Sequence, residues 1–152
     1  MQKKILISTG GSGGHVIPAK IFFEHLKSEF KIFLTSDKRG IKFLDLDENI
    51  VTIIDTPVIT KNLLLLPYKI ILLLFILIKS IYFLKKNKID ILISTGGYMS
   101  LPLCFAAKIF KIKIFLFEPN LVLGRANKFF LKSCQKIFCY SEKIINFPKK
   151  YT

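Results

Sequence analysis

One heptapeptide occurs twice in this chain: Ile5-Leu-Ile-Ser-Thr-Gly-Gly11 returns as Ile91-Leu-Ile-Ser-Thr-Gly-Gly97. Each copy is a run of aliphatic residues that stops at a glycine turn. Near-continuous Ile/Leu/Phe runs are the signature of strands buried on both faces, and such strands belong to parallel sheets. In one parallel sheet the two turns open on the same edge. Ligands of open α/β sheets bind beyond the carboxyl ends of the strands, where the strand order reverses. The repeat therefore predicts both a fold and a place to look for a site.

The first turn carries more than the second. Gly10-Gly-Ser-Gly-Gly-His15 follows a strand-like run and precedes an apolar-periodic segment. Strand, glycine loop and helix in that order build a cradle of the size of a phosphate. Glycines remove the Cβ atoms that would obstruct a ligand, and the loop amides and helix N-terminus point at one anion. No Gly-Lys-Ser/Thr follows, so this is not a P-loop, and the spacing only approaches G-x-G-x-x-G. His15 falls where the helix begins and sets a titratable imidazole beside whatever binds. A tight strand-to-helix turn, with a capping or packing histidine, is the plainer alternative.

Further strands are predicted at Lys31–Thr35, Ile50–Ile54, Ile89–Ser94, Lys113–Phe117 and Lys136–Tyr140, after a first at Lys4–Ser8. Helices are predicted at Pro18–Ser28, Ile41–Leu46, Leu66–Lys86, Leu101–Phe110 and Arg125–Lys132. This alternation is that of an α/β, doubly wound, Rossmann-like parallel sheet. At its carboxyl edge stand further candidates. Glu118 follows the fifth strand and offers a second base, or a carboxylate tied to loop amides. Asn120 can bond a sugar or hold its own turn. Tyr98 can line a pocket or close the core.

The segment Leu63–Leu84 has an apolar run from Ile70 to Ile78, with Lys69 and Lys79 as its charges and Lys85, Lys86 and Lys88 following. At roughly 1.5 Å per residue it is long enough to cross a bilayer. Crossing would put the two glycine turns on opposite sides of the membrane and split the sheet. The reading adopted is a helix with one face on the sheet and another, rimmed by lysines, in the lipid interface. A buried core helix is the alternative.

A formal charge of +14 from 24 Lys+Arg against 10 Asp+Glu favours anionic partners: nucleic acid, lipid headgroups or phosphorylated substrates. No recognised helix, finger or RNP motif supports nucleic acid. Cys104, Cys134 and Cys139 form no CxxC pair and no zinc spacing, which implies free thiols in a reducing compartment. The first residues lack the apolar core of a signal peptide, and the cytoplasm is expected.

Three blocks, Gly10-Gly-Ser-Gly-Gly-His-Val-Ile-Pro18, Gly96-Gly-Tyr-Met-Ser-Leu-Pro102 and Glu118-Pro-Asn-Leu-Val-Leu-Gly-Arg-Ala-Asn127, together resemble the N-terminal domain of the MurG family. That family is the bacterial peptidoglycan GlcNAc transferase. The resemblance implies one half of a GT-B enzyme, inverting and metal-independent, with no cofactor beyond the donor substrate UDP-GlcNAc. Its acceptor is a MurNAc-peptide linked to undecaprenyl diphosphate. It implies residues 1–152 as the acceptor- and membrane-binding half, on the cytoplasmic face of an anionic plasma membrane. The donor-binding GT-B domain is then expected elsewhere, on a second chain as in the split dolichol-pathway transferases or lost by truncation. By resemblance Gly11, Ser12, Gly13 and Gly14 meet diphosphate or UDP-sugar. His15 falls on a proposed general base, and Gly96, Gly97, Tyr98, Glu118 and Asn120 fall on the other two blocks. The family's Thr is Ser12 here, and its His-Glu-Gln-Asn is Phe117-Glu-Pro-Asn120, which removes two polar side chains from that block. A non-catalytic membrane-surface protein that binds lipid-linked sugar or anionic lipid is the second reading. The acceptor subunit of another split GlcNAc transferase is a third.

Overall fold

The computed structural model describes residues 2–47, 50–56 and 66–149. Six strands, β1 (Lys4–Ser8), β2 (Lys31–Ser36), β3 (Val51–Ile53), β4 (Ile91–Ser94), β5 (Lys113–Glu118) and β6 (Lys136–Cys139), form one parallel sheet in the order β3-β2-β1-β4-β5-β6. The helices are α1 (Gly13–Leu26), α2 (Leu66–Asn87), α3 (Ser100–Ile109) and α4 (Arg125–Phe130). The doubly wound sheet expected from the sequence is therefore present. Its order reverses between β1 and β4, and those are the strands of the repeated heptapeptide. They lie side by side in register, Ile5 beside Ile91 through Ser8 beside Ser94.

Side chains along each strand alternate between two cores. Leu6, Leu92, Ile114 and Leu116 pack under α2, α3 and α4, against Leu84, Leu103, Ala106 and Phe130. Ile5, Ile7, Leu34 and Val51 pack on the other face against Val16, Ala19 and Phe23 of α1. Each fully buried aliphatic side chain contributes about 1.5–3 kcal/mol relative to exposure. Cover on the α1 side stops short. Beyond Phe22, Leu26 and Phe30, the half-buried Ile91, Ile93 and Phe115 floor a groove whose walls are entirely apolar.

Element boundaries differ from expectation where tertiary bonds decide them. Helix α1 starts at Gly13, five residues before Pro18, because the Ser12 carbonyl accepts the N–H groups of His15 and Val16 at 3.1 and 3.3 Å. The Thr9 hydroxyl then ties down the His15 carbonyl. Pro18 sits inside the helix, one turn in, where its missing N–H leaves the Gly14 carbonyl without an i+4 donor. The expected helix at Ile41–Leu46 is a 3-10 turn, Ile41–Phe43, ended by Asp45 at a φ of +47°. Strand β4 begins at Ile91, not Ile89, because the Ile89 amide closes α2 on the Leu84 carbonyl across Lys88, at φ +53°.

Helix α2 presents Ile76, Ser80 and Leu84 inward at a spacing of four residues. Ile71, Leu74, Phe75, Ile78 and Tyr82 remain exposed. A wholly buried core helix is thus excluded. Among the described residues it is the one helix long and apolar enough to cross a membrane. Leu63, Leu64 and Leu65 of the apolar segment lie outside the described residues. All three cysteines are free, and burial pushes the Cys104 thiol up to about 12.

Candidate functional site

The carboxyl ends of β1 and β4 carry the site. Thr9 and Thr95, the last residues before the two glycine pairs, join through their hydroxyls at 2.8 Å. The chain then turns at Gly11 (φ +84°) on one side and at Gly96 (φ +95°) and Gly97 (φ +85°) on the other. Space is also tight at Gly96, where a Cβ would stand 3.1 Å from the His15 ring and the ring would have to give way by a few tenths of an ångström. Between the bends and the loop after β5 lies a cleft of about 300 Å³.

His15 enters this cleft from the first turn of α1. Its Nδ1 lies 2.6 Å from the Thr95 carbonyl oxygen. A carbonyl only accepts, so Nδ1 carries a proton, and in the neutral ring the lone pair is then on Nε2. The sheet itself, rather than a carboxylate, orients the ring. Ser12, Gly13 and Gly14 have no partner for their amide N–H groups among the described residues, as expected at a helix N-terminus.

Two buried carboxylates stand behind the walls. Glu118 is fully buried. Its Oε1 accepts from the Asn120 amide (3.1 Å) and Asn120 Nδ2 (2.9 Å). Its Oε2 accepts from the Gly124 amide (2.8 Å) and Asn127 Nδ2 (3.0 Å). With both oxygens engaged, Glu118 clamps the loop after β5. Asp37, after β2, accepts from the amides of Gly11 (2.8 Å) and Gly40 (2.7 Å) and from the Arg39 guanidinium. Burial pushes the Asp37 carboxyl up, but those hydrogen bonds and the Arg39 charge together hold it below the ordinary 3.8.

Of the residues expected from the sequence, Gly11, Ser12, His15, Gly97, Tyr98 and Asn120 line the one cleft. Gly13 and Gly14 are the first residues of α1, next to Ser12, and Glu118 is buried and bonded to the cleft residues Asn120, Gly124 and Asn127. Arg39, Arg125 and Asn127 also line the cleft, and sequence reasoning does not single them out. Asn127 ends the block Gly124-Arg-Ala-Asn127, so its position was available. Arg39 lies in the turn after β2, where a site at the carboxyl edge could have suggested it. Among the described residues no group of three His, Cys, Asp or Glu side chains could hold a metal ion.

A parallel α/β domain with its cleft at the point of reversal, floored by glycine bends and a helix N-terminus, is of the doubly wound, Rossmann-like class, whose ligands bind at that edge. The chain belongs to glycosyltransferase family 28: the model of that family's N-terminal domain matches residues 5–139. It is 62% identical over 151 residues to the UDP-N-acetylglucosamine--N-acetylmuramyl-(pentapeptide) pyrophosphoryl-undecaprenol N-acetylglucosamine transferase of Pelagibacter ubique, covering 99% of this chain and 42% of that protein. The protein of the same name from Rickettsia typhi is 35% identical over 150 residues, 97% of this chain and 38% of its own length. The chain thus spans less than half the length of these curated relatives. Among solved structures, MurG of Acinetobacter baumannii superposes with a TM-score of 0.79 at 24% identity, over 96% of this chain and 43% of that one. That likeness speaks for the fold.

Proposed function

We propose that this chain is the acceptor-side half of a membrane-associated GlcNAc transferase, which moves GlcNAc from UDP-GlcNAc to a MurNAc-pentapeptide on undecaprenyl diphosphate. Turnover requires a donor-binding half of the same fold class. The substrates are those in the name of the Pelagibacter relative. The observation that carries the reading is the His15 ring, fixed through Nδ1 with Nε2 free, beside unpaired loop amides in one cleft.

In this reading Nε2 of His15 takes the proton of the acceptor hydroxyl as that oxygen attacks the anomeric carbon of GlcNAc. The bond from that carbon to the UDP oxygen breaks, UDP leaves with the electron pair, and the configuration inverts. The amides of Ser12, Gly13 and Gly14 hold diphosphate. Tyr98 and Asn120 line the same cleft and contact the acceptor sugar. The exposed apolar face of α2 lies against the cytoplasmic leaflet, with Lys79, Lys85 and Lys86 near anionic headgroups.

The test is GlcNAc transfer to a lipid-diphosphate sugar, with this chain and a donor-binding half supplied together. His15→Ala is expected to lower turnover by about 10²–10⁴-fold while the thermal melt is unchanged. Turnover equal to that of the unaltered chain removes His15 from the mechanism. For the membrane part, alkaline carbonate or high salt releases an interfacial protein from membranes. Retention after both treatments would establish a true span.

A further inference from the structure

The glycine bend gives away one of its own donors. The Gly11 amide bonds Asp37, so diphosphate finds fewer free amides there than the run of glycines suggests. The same carboxylate holds Arg39 through Nε and Nη2, at 3.1 and 3.0 Å. A guanidinium has five N–H donors, and this leaves three. The Arg39 side chain is 65% exposed, against 6% for Asp37. Its Nη2 lies 4.0 Å from where a Cβ on Gly11 would stand, which puts the charge directly over the bend. Arg125 borders the cleft from the loop side, and no acidic side chain lines it among the described residues. Asp37 and Glu118 are both buried and engaged.

We propose that Arg39, pinned over the glycine bend by Asp37, is a ligand-binding residue of the cleft that contacts the diphosphate of a bound substrate, with Arg125 facing the same group. This rests on the reading of the cleft as a diphosphate site. Asp37 is the positioning residue. It engages one edge of the guanidinium, and the other edge meets phosphate oxygens with little orientational freedom left to lose. A residue that merely neutralised Asp37 would leave ligand affinity unmoved when replaced.

The experiment titrates the 152-residue chain with inorganic pyrophosphate, by calorimetry or amide chemical shifts. Two further arms use UDP and geranyl diphosphate. The unaltered chain is expected to bind pyrophosphate, and Arg39→Ala and Arg39→Gln each to weaken it by about tenfold or more. Gln keeps one hydrogen bond to Asp37, so it reads the contact even if the Ala variant fails to fold. Affinity within about twofold of the unaltered chain in the Gln variant overturns the assignment of Arg39 and leaves the cleft reading intact. An unaltered chain that does not bind pyrophosphate overturns both. Loss confined to UDP or to geranyl diphosphate supports the contact and names its source as nucleotide or lipid; both unaffected overturns it.

Discussion

The two copies of Ile-Leu-Ile-Ser-Thr-Gly-Gly are neighbours with the same sequence and the same strand direction, yet they do different work. Ile5 and Ile7 of the first are buried beneath α1, whereas Ile91 and Ile93 of the second, on the same face of the sheet, are half-buried beside an apolar groove. The first bend leads into unpaired helix amides. The second packs tightly, with Gly97 against the Gly10 carbonyl and Gly96 against the His15 ring. One copy supplies donors and the other a rigid backstop. A local sequence sets the strand and the turn; the element beyond the turn and the cover on the strand's face set the function.

The sharpest way to break that comparison is to add one methyl group to each bend. Gly96→Ala forces a Cβ to within 3.1 Å of the imidazole at a φ of +95°, and turnover with the donor half is expected to fall about a hundredfold as His15 moves. Gly11→Ala has the same kind of φ but open space, its nearest neighbour being Arg39 at 4.0 Å. Backbone strain of about 1–3 kcal/mol is its main expected cost, with turnover lowered far less. Parallel steady-state assays and thermal melts of the two variants decide this; equal turnover losses would erase the distinction between donor and backstop.

The strands themselves offer a smaller contrast. Ile7→Ala is expected to cost about 2–5 kcal/mol in urea unfolding, because the site is closed on all sides. Ile93→Ala, beside the groove, is expected to cost about 1 kcal/mol. Equal losses would mean that the groove is closed in solution.

The smallest effect concerns the carboxylate that anchors the first bend. Asp37 titrates lower folded than its ordinary 3.8, so its contribution is present above that value and disappears as pH falls through the lower, folded one. Stability is expected to decline on acidification below about 4, and Asp37→Asn is expected to flatten that part of the curve. An unchanged acid limb in Asp37→Asn would detach the bend from this carboxylate.

Much of the fold is legible in residue order. Apolar runs mark the six strands, broken at Thr52 in β3, and the repeated heptapeptide marks the edge where the cleft lies. The start of helix α1 is harder to read, because Pro18 looks like a first-turn proline while the decisive bonds come from the Ser12 carbonyl and the Thr9 hydroxyl. The clamp at Glu118 closes within one loop and is among the sequence alternatives, whereas Arg39 is hidden for a related reason. Its meaning depends on which loops meet at the carboxyl edge, and only the strand order brings Asp37 to Gly11.

Helix α2 ends beside the start of β1, where the Asp90 amide bonds the Lys4 carbonyl. At about 1.5 Å per residue its 22 residues extend roughly 33 Å, longer than any strand of the sheet. If the proposed membrane contact is right, a bilayer meets the domain along the length of this helix, through Ile71, Leu74, Phe75, Ile78 and Tyr82, and not at one end of it.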